Sequence, residues 1–383
     1  MILTGDCREI LPTLDAESVN CCVTSPPYYG LRDYGVEGQI GMEETPTAYV
    51  KKLVEVFRDV KRVLQDGGTL WLNLGDSYAG SGKGAWNTHD VQKEVYVPKP
   101  CGPQPRCRTP DCKPKDLIGI PWRVAFALQA DGWYLRQDII WFKPNPMPES
   151  VTDRCTKSHE YIFLFSKSLK YYFDAESISE SCSESSLKRY AQNIENQKGS
   201  DRQPGNTNGP MKAVLPRYGG KKYTKNPDVF YRTKSGRAYD PRARRNKRDV
   251  WVIPTQPFSG AHFAAYPEEL VRNCILAGCP AGGTVLDPFS GSGTTGKVAH
   301  ELGRQYIGIE LNPAYAEASE KRIGAHIQQT LTMSSRKCST CKHFGPIVCC
   351  ITPNGDVYHK RGNCLNEEIT AASQGYPCWE AKE

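Results

Sequence analysis

Two stretches of this chain carry residue types that could do chemistry. The first is Val23-Thr24-Ser25-Pro26-Pro27-Tyr28. Consecutive prolines fix φ and remove backbone donors, so a strand running through residues 18–23 must end there. The loop that follows presents the Ser25 hydroxyl, the Ser25 and Pro26 carbonyls and the Tyr28 ring as one stiff group. A proline-terminated strand with a packed tyrosine would look the same in isolation, so the weight falls on the rest of the chain.

The second stretch is Asp287-Pro288-Phe289-Ser290-Gly291-Ser292-Gly293-Thr294-Thr295. It follows a short apolar strand at residues 284–286 and precedes a helix at 296–302. A second strand then ends in Glu310, 19 residues after Gly291. Strand, glycine turn, helix, strand and acid make up the nucleotide-cofactor half of a doubly wound sheet. The glycines allow close backbone approach, and the acid accepts from ribose hydroxyls. Gly296 completes a GxGxxG spacing, but Asp287 at the strand tip would face a pyrophosphate unfavourably. An acid there suits an ammonium-bearing cofactor, which points to S-adenosylmethionine over a dinucleotide.

The elements that must position these groups follow from hydrophobic pattern. A first strand ends at Gly5-Asp6, where Asp6 either caps a helix over residues 8–11 or accepts hydrogen bonds from a ligand. Residues 48–64 carry apolar side chains at Val50, Leu53, Val54, Phe57, Val60, Val63 and Leu64, the spacing of an amphipathic helix. Asp66-Gly67-Gly68 is expected to stop it before a buried strand at 69–74, which makes a parallel crossover unit. A helix at 121–128 and strands at 134–142, 159–165, 171–174 and 249–253 complete the core. Residues 77–115 are irregular and rich in Gly, Pro and charge.

Charge is unevenly distributed. Between Lys188 and Arg248, 17 Lys and Arg face 4 Asp and Glu, whereas the whole chain carries a net +7. The body is therefore net acidic around one basic segment, the layout expected for a partner with a phosphate backbone. Tyr190, Tyr218, Tyr223, Tyr231 and Tyr239 are interleaved with the basic residues and suit base stacking. Arg242, Arg244, Arg245, Lys247 and Arg248 form its densest cluster. A solvated insert would have a similar composition.

With 383 residues, 39% of them hydrophobic, the chain should form two or three units of a soluble protein. No apolar run reaches the ~18 residues of a membrane span, and no basic-then-apolar leader opens the chain, so a cytoplasmic location is expected. Sixteen cysteines in such a chain read as buried thiols and a few metal ligands. Cys101, Cys107 and Cys112 lie close together but lack a CxxC pair. Beyond residue 324, Cys338-x-x-Cys341 with Cys364 and Cys378 is a candidate zinc module.

With both anchors in view, the chain closely resembles the DNA amino-methyltransferases, which methylate exocyclic amines of cytosine or adenine. The Asp-Pro-Phe-x-Gly-x-Gly-Thr motif and the Pro-Pro-Tyr motif are both present. Catalytic motif first and cofactor motif last is the order of the permuted beta class. The resemblance covers residues 1–178 and 249–323. It implies an α/β, Rossmann-like, S-adenosylmethionine-dependent methyltransferase fold with a recognition insert at 179–248 and a Cys-rich appendage at 324–383.

By the same resemblance, Asp287, Phe289, Gly291 and Gly293 would line the methionine end of the cofactor, Glu310 would hold its ribose, and Asp6 would lie near its adenine. His262, Phe263 and Ala264 would meet the carboxylate, with Thr294 nearby. Ser25, Pro26, Pro27 and Tyr28 would form the catalytic loop, Tyr28 stacking on a flipped base. Serine before the prolines resembles the cytosine-N4 version, whereas Asp or Asn is commoner for adenine-N6. Double-stranded DNA is the implied partner, with a cognate restriction endonuclease as a candidate companion. Adenine-N6 transfer, methylation of a protein glutamine or an RNA amine, and a non-catalytic nucleic-acid binder stay open as alternatives.

Overall fold

The computed structural model describes residues 1–31, 35–79, 112–184, 244–256 and 266–324, and the backbone alone of 231–232, 238–239, 325–334, 347–351 and 357–361. Short apolar runs form β1 (Ile2–Thr4), β2 (Val19–Thr24), β3 (Leu64–Leu74), β4 (Tyr134–Phe142) and β5 (His159–Ser166). Two-residue strands follow as β6 (Glu180–Ser181), β7 (Tyr231–Arg232), β8 (Ala238–Tyr239) and β9 (Arg244–Arg245). Next come β10 (Val250–Val252), β11 (Thr284–Asp287), β12 (Gln305–Glu310), β13 (Ile347–Ile351) and β14 (Val357–Arg361). The helices are α1 (Cys7–Ile10), α2 (Pro46–Val63), α3 (Ile120–Ala130), α4 (Glu268–Gly278), α5 (Thr294–Glu301) and α6 (Pro313–Ser334).

The chain divides into two compact units, Met1–Phe173 with Asp249–Glu383, and Asp174–Arg248. The first contains an eight-stranded sheet in the order β1-β12-β11-β2-β3-β5-β4-β10. Its pairings are parallel except those of β5, which runs antiparallel to both β3 and β4. β2 is buried at five of its six positions, as a strand covered on both faces must be. Cys22, Leu70, Leu72, Leu286 and Ile309 join the core beneath α2 and α3. The alternate residues Cys21 and Trp71 lie against Gly278 of α4 instead. The result is an α/β, Rossmann-like sandwich with the β2 loop preceding the β11 loop in sequence. In the second unit β6 pairs with β9. Among the described residues no helix is long and apolar enough to cross a membrane.

Two expectations change. Asp66-Gly67-Gly68 does not end α2: Leu64 is already extended (φ −69°, ψ 139°), caps the helix and starts β3. Burial of Leu64 pulls the backbone into the sheet early, and the glycines fall inside an irregular pairing between Val19↔Leu64 and Cys21↔Thr69. No strand forms at residues 171–174. Tyr172 N–H donates to the Gly67 carbonyl at 2.9 Å, while Asp174 turns to accept from Ser177 N–H at 3.1 Å.

Candidate active site

The sheet has a topological switch point between β11 and β2. From β11 the chain crosses through α5 to β12 on one side; from β2 it crosses through α2 to β3 on the other. Ligands of open α/β sheets bind outside the carboxyl ends of the strands at such a point. Here those ends carry the two motifs. Thr24 Oγ1 donates to Asp287 Oδ1 at 2.6 Å, joining the end of β2 to the end of β11.

Asp287 is not where the sequence reading put it. It is fully buried and does not line the cavity beside it. Four groups donate to it: Thr24 Oγ1 and Thr295 Oγ1 at 2.6 Å, and Phe289 N–H and Tyr266 O–H at 3.1 Å. Burial pushes its carboxyl above the ordinary range, and these donors pull the other way. Buried charge needs such pairing, so Asp287 braces the turn from behind the cavity wall. Gly293 also lies behind the wall, at φ +74°, with room for no side chain: a Cβ would fall 2.1 Å from Ser319 Oγ. That close approach carries the chain into α5.

The rest of the glycine turn does reach the cavity. Phe289, Gly291 and Thr294 line it with Glu310. Glu310 Oε2 accepts from Gly291 N–H at 2.7 Å and Oε1 from Asn312 N–H at 2.9 Å, which fixes the carboxylate at the mouth of β12. Burial raises its pKa above the ordinary value. Asp6 caps α1 through Arg8 N–H at 2.9 Å, is ion-paired with Arg8, and also lines the cavity. The capping reading of Asp6 therefore holds, and its carboxylate still reaches the cavity wall.

On the β2 side, Ser25, Pro26, Pro27 and Tyr28 line the same space. The loop is braced from outside: Tyr49 O–H donates to the Pro27 carbonyl at 2.8 Å, and Gly30 N–H to the Gly41 carbonyl at 2.8 Å. Tyr28 packs against Gly75, where a Cβ would lie 2.5 Å from the ring. Its hydroxyl donates to Glu160 Oε2 at 2.7 Å and approaches Asn73 Oδ1 at 3.2 Å. Ser25 Oγ donates to the Tyr28 oxygen at 3.5 Å. Lys143 pairs with Glu160 and sits 4.2 Å from the centre of the Trp141 ring.

Asn73, Trp141, Lys143 and Glu160, all on the cavity wall, were missed from sequence. Lys143 and Glu160 look like ordinary residues at strand ends. The available signal was topological: β5 is antiparallel, so its first residues arrive at the same edge as the last residues of β3 and β4. Glu160 accordingly pairs with Trp141, two residues before Lys143.

Most of the remaining expected residues fall outside the described part of the chain. His262, Phe263, Ala264 and Arg242 lie outside the described residues, as do Cys338, Cys341, Cys364, Cys378, Cys101 and Cys107. Cys112 meets Arg123 at 3.8 Å. Among the described residues no group of three or more His, Cys, Asp or Glu could hold a metal. In the second unit, Arg244 Nε donates to Ser179 Oγ at 2.6 Å, and Arg245 and Lys247 pair with Glu180 at 3.4 and 3.6 Å. Arg248 is exposed.

The cavity, about 620 Å³, has the size of a nucleoside-scale ligand site. Its lining carries two carboxylates, Asp6 and Glu310, on the β1–β12 side. Among the described lining residues the only Lys or Arg is Lys143, on the opposite wall. That donor set fits a nucleoside cofactor with no phosphate and a positive charge, as S-adenosylmethionine is, and suits a pyrophosphate poorly.

Comparison with known proteins agrees. A family model described as DNA methylase (N6/N4 methyltransferase) matches residues 19–321. The chain is 46% identical over 323 residues to the Type II methyltransferase M.SmaI of Serratia marcescens, covering 84% of this chain and 90% of that protein. It is 43% identical over 325 residues to the Type II methyltransferase M.Cfr9I of Citrobacter freundii, covering 84% and 87%. The solved structure of the PvuII DNA methyltransferase (cytosine-N4-specific) matches with a TM-score of 0.51 at 18% identity, over 86% of this chain and 92% of that one, and so shares the fold. With its two motifs meeting at one switch point and its relatives aligned nearly end to end, the chain belongs to the N6/N4 DNA methylase family, as a Type II DNA methyltransferase that uses S-adenosylmethionine.

Proposed function

We propose that this protein methylates the exocyclic N4 amine of cytosine in double-stranded DNA. The observation that carries the reading is Ser25 itself, a neutral hydroxyl placed by a braced loop on the wall of the cavity that Glu310 also lines. An exocyclic amine is a poor nucleophile because its lone pair is delocalised into the ring. Acceptors at the Ser25 oxygen and the Pro26 carbonyl take hydrogen bonds from the amine and draw it toward tetrahedral geometry. S-adenosylmethionine, when bound, supplies an activated methyl on a sulfonium, and no covalent enzyme intermediate is needed.

The other residues divide the work. Glu310, Phe289 and Asp6 are the residues that would hold the cofactor, Glu310 as acceptor for its ribose hydroxyls, Phe289 as an apolar contact and Asp6 toward its adenine. Tyr28 offers its ring to the base, which must leave the duplex at a cost of about a few kcal/mol. Asp287 and Thr24 hold the two halves together without touching either substrate. The unit Asp174–Arg248, with the basic excess described above, is proposed to contact the DNA backbone. A restriction endonuclease cutting the same sequence is the companion this reading implies, in the cytoplasm.

The test is to incubate the protein with unmethylated duplex DNA and labelled S-adenosylmethionine, then separate the nucleosides. Label is expected in N4-methylcytosine. Label confined to N6-methyladenine contradicts the proposal.

A further inference from the structure

The wall behind the catalytic loop is a hydrogen-bond chain with only one consistent direction. Its far end is Glu160, whose side chain is 16% exposed and paired with Lys143. A carboxylate only accepts, and so does an amide carbonyl oxygen such as Asn73 Oδ1. The Asn73 amide is oriented by its nitrogen, which donates to the Tyr161 carbonyl at 3.1 Å and to Glu160 Oε2 at 3.3 Å. The Tyr28 hydroxyl lies between these two acceptors, at 2.7 Å from Glu160 and 3.2 Å from Asn73. Its single hydrogen is committed to them. Burial, then the charge of Glu160, push the Tyr28 pKa well above its ordinary value, so that hydrogen stays on.

The consequence passes to Ser25. The Tyr28 oxygen can meet Ser25 Oγ only as an acceptor, so the serine hydrogen points at Tyr28 across 3.5 Å. Among the described residues that is the only hydrogen bond of the Ser25 side chain. The lone pairs of Ser25 are thereby left for the cavity. A serine hydroxyl free to rotate could equally donate, which would oppose an amine that has only N–H groups to offer.

We propose that Glu160 is a positioning residue for methyl transfer: through the Tyr28 hydroxyl it fixes Ser25 as a hydrogen-bond acceptor for the substrate amine. Lys143 holds the carboxylate in place against β4, and the Trp141 ring beneath its ammonium restricts where that ammonium can go. The proposal rests on the reading of residues 25–28 as the loop that holds the target amine. It adds a group from a different strand, 132 residues away from Tyr28, that does not touch the amine itself.

The test is a double-mutant cycle on steady-state methylation of unmethylated duplex DNA, with Glu160→Gln, Tyr28→Phe and the pair. Glutamine keeps the size of the side chain but directs an N–H₂ at Tyr28 while its oxygen faces Lys143, reversing the chain. Glu160→Gln is expected to lower kcat roughly tenfold to hundredfold, the range for a hydrogen bond to a charged group, with KM for S-adenosylmethionine changed less than about threefold. In the Tyr28→Phe background the same substitution is expected to change kcat less than about twofold, because the link is already cut. A glutamate with a merely structural role would tolerate its isosteric amide, or lose the same factor in both backgrounds; either result overturns the proposal.

Calorimetric binding of S-adenosylmethionine shows that each variant is folded. Should Glu160→Gln not bind it, Glu160→Asp takes its place in the cycle, and equal losses in both backgrounds again overturn the proposal. Ser25→Ala separates this inference from the reading beneath it. Full activity in Ser25→Ala removes the base-holding loop itself. Inactive Ser25→Ala beside fully active Glu160→Gln removes only the role of Glu160.

Discussion

Thr24 Oγ1 donates to Asp287 Oδ1 at 2.6 Å, a bond between the last residues of two adjacent parallel strands that are 263 positions apart in sequence. It ties the loop that presents Ser25 to the turn that presents Gly291. Thr24→Val keeps the shape and removes the donor, leaving a buried carboxylate oxygen with only Phe289 N–H. The loss should be about 1–3 kcal/mol of stability, the usual cost of an unsatisfied buried polar group. Urea unfolding with an unchanged m-value would measure it, and an unchanged midpoint would contradict it.

Glu310 should make cofactor affinity depend on pH. Its carboxyl is raised above the ordinary 4.5 by burial, so just above that pH the free protein still holds a proton there. Ribose hydroxyls donate to the ionised form, so binding expels the proton. Affinity for S-adenosylmethionine is therefore expected to climb as pH rises through that window and to level off above it. Glu310→Gln should weaken binding roughly tenfold or more and flatten the climb, as read by calorimetry.

Gly293 tests the turn from the steric side. Its φ of +74° is strained for any L side chain, and a Cβ would lie 2.1 Å from Ser319 Oγ. Gly293→Ala is expected to cost more than about 1 kcal/mol and to lower the melting temperature by several degrees. Cofactor affinity should fall with it, since Gly291 and Thr294 flank the same turn.

Tyr49 braces the catalytic loop without touching the cavity, through its 2.8 Å bond to the Pro27 carbonyl. In Tyr49→Phe the ring stays in the core and this bond is lost. A stability loss of about 1 kcal/mol is expected, with kcat reduced and the dissociation constant for S-adenosylmethionine unchanged. Equal effects on kcat and cofactor affinity would mean that Tyr49 supports the whole site and not the loop.

Much of this arrangement is legible in the chain because it is local. Proline chemistry ends β2 at Ser25, the glycine spacing precedes α5, and Glu310 closes β12, each readable within a few residues. What is not local was lost. Asp287 sits in a motif that suggests a ligand, but four donors from Thr24, Tyr266, Phe289 and Thr295 satisfy it, three of them more than two residues away. Glu160 and Lys143 reach the site only because β5 reverses direction between β3 and β4, and strand direction leaves no mark on hydrophobic pattern. Leu64 was misassigned for the same reason: tertiary burial drew it from the end of a helix into a strand.

The central claim is that Ser25 holds the N4 amine of cytosine at the meeting of the two motifs. The most direct measurement is nucleoside mass spectrometry of total DNA from cells that lack other methyltransferases and express either this chain or its Ser25→Ala variant. N4-methylcytosine should be present with the first and reduced to background with the second. N6-methyladenine as the sole new nucleoside, or undiminished N4-methylcytosine with Ser25→Ala, would contradict the account.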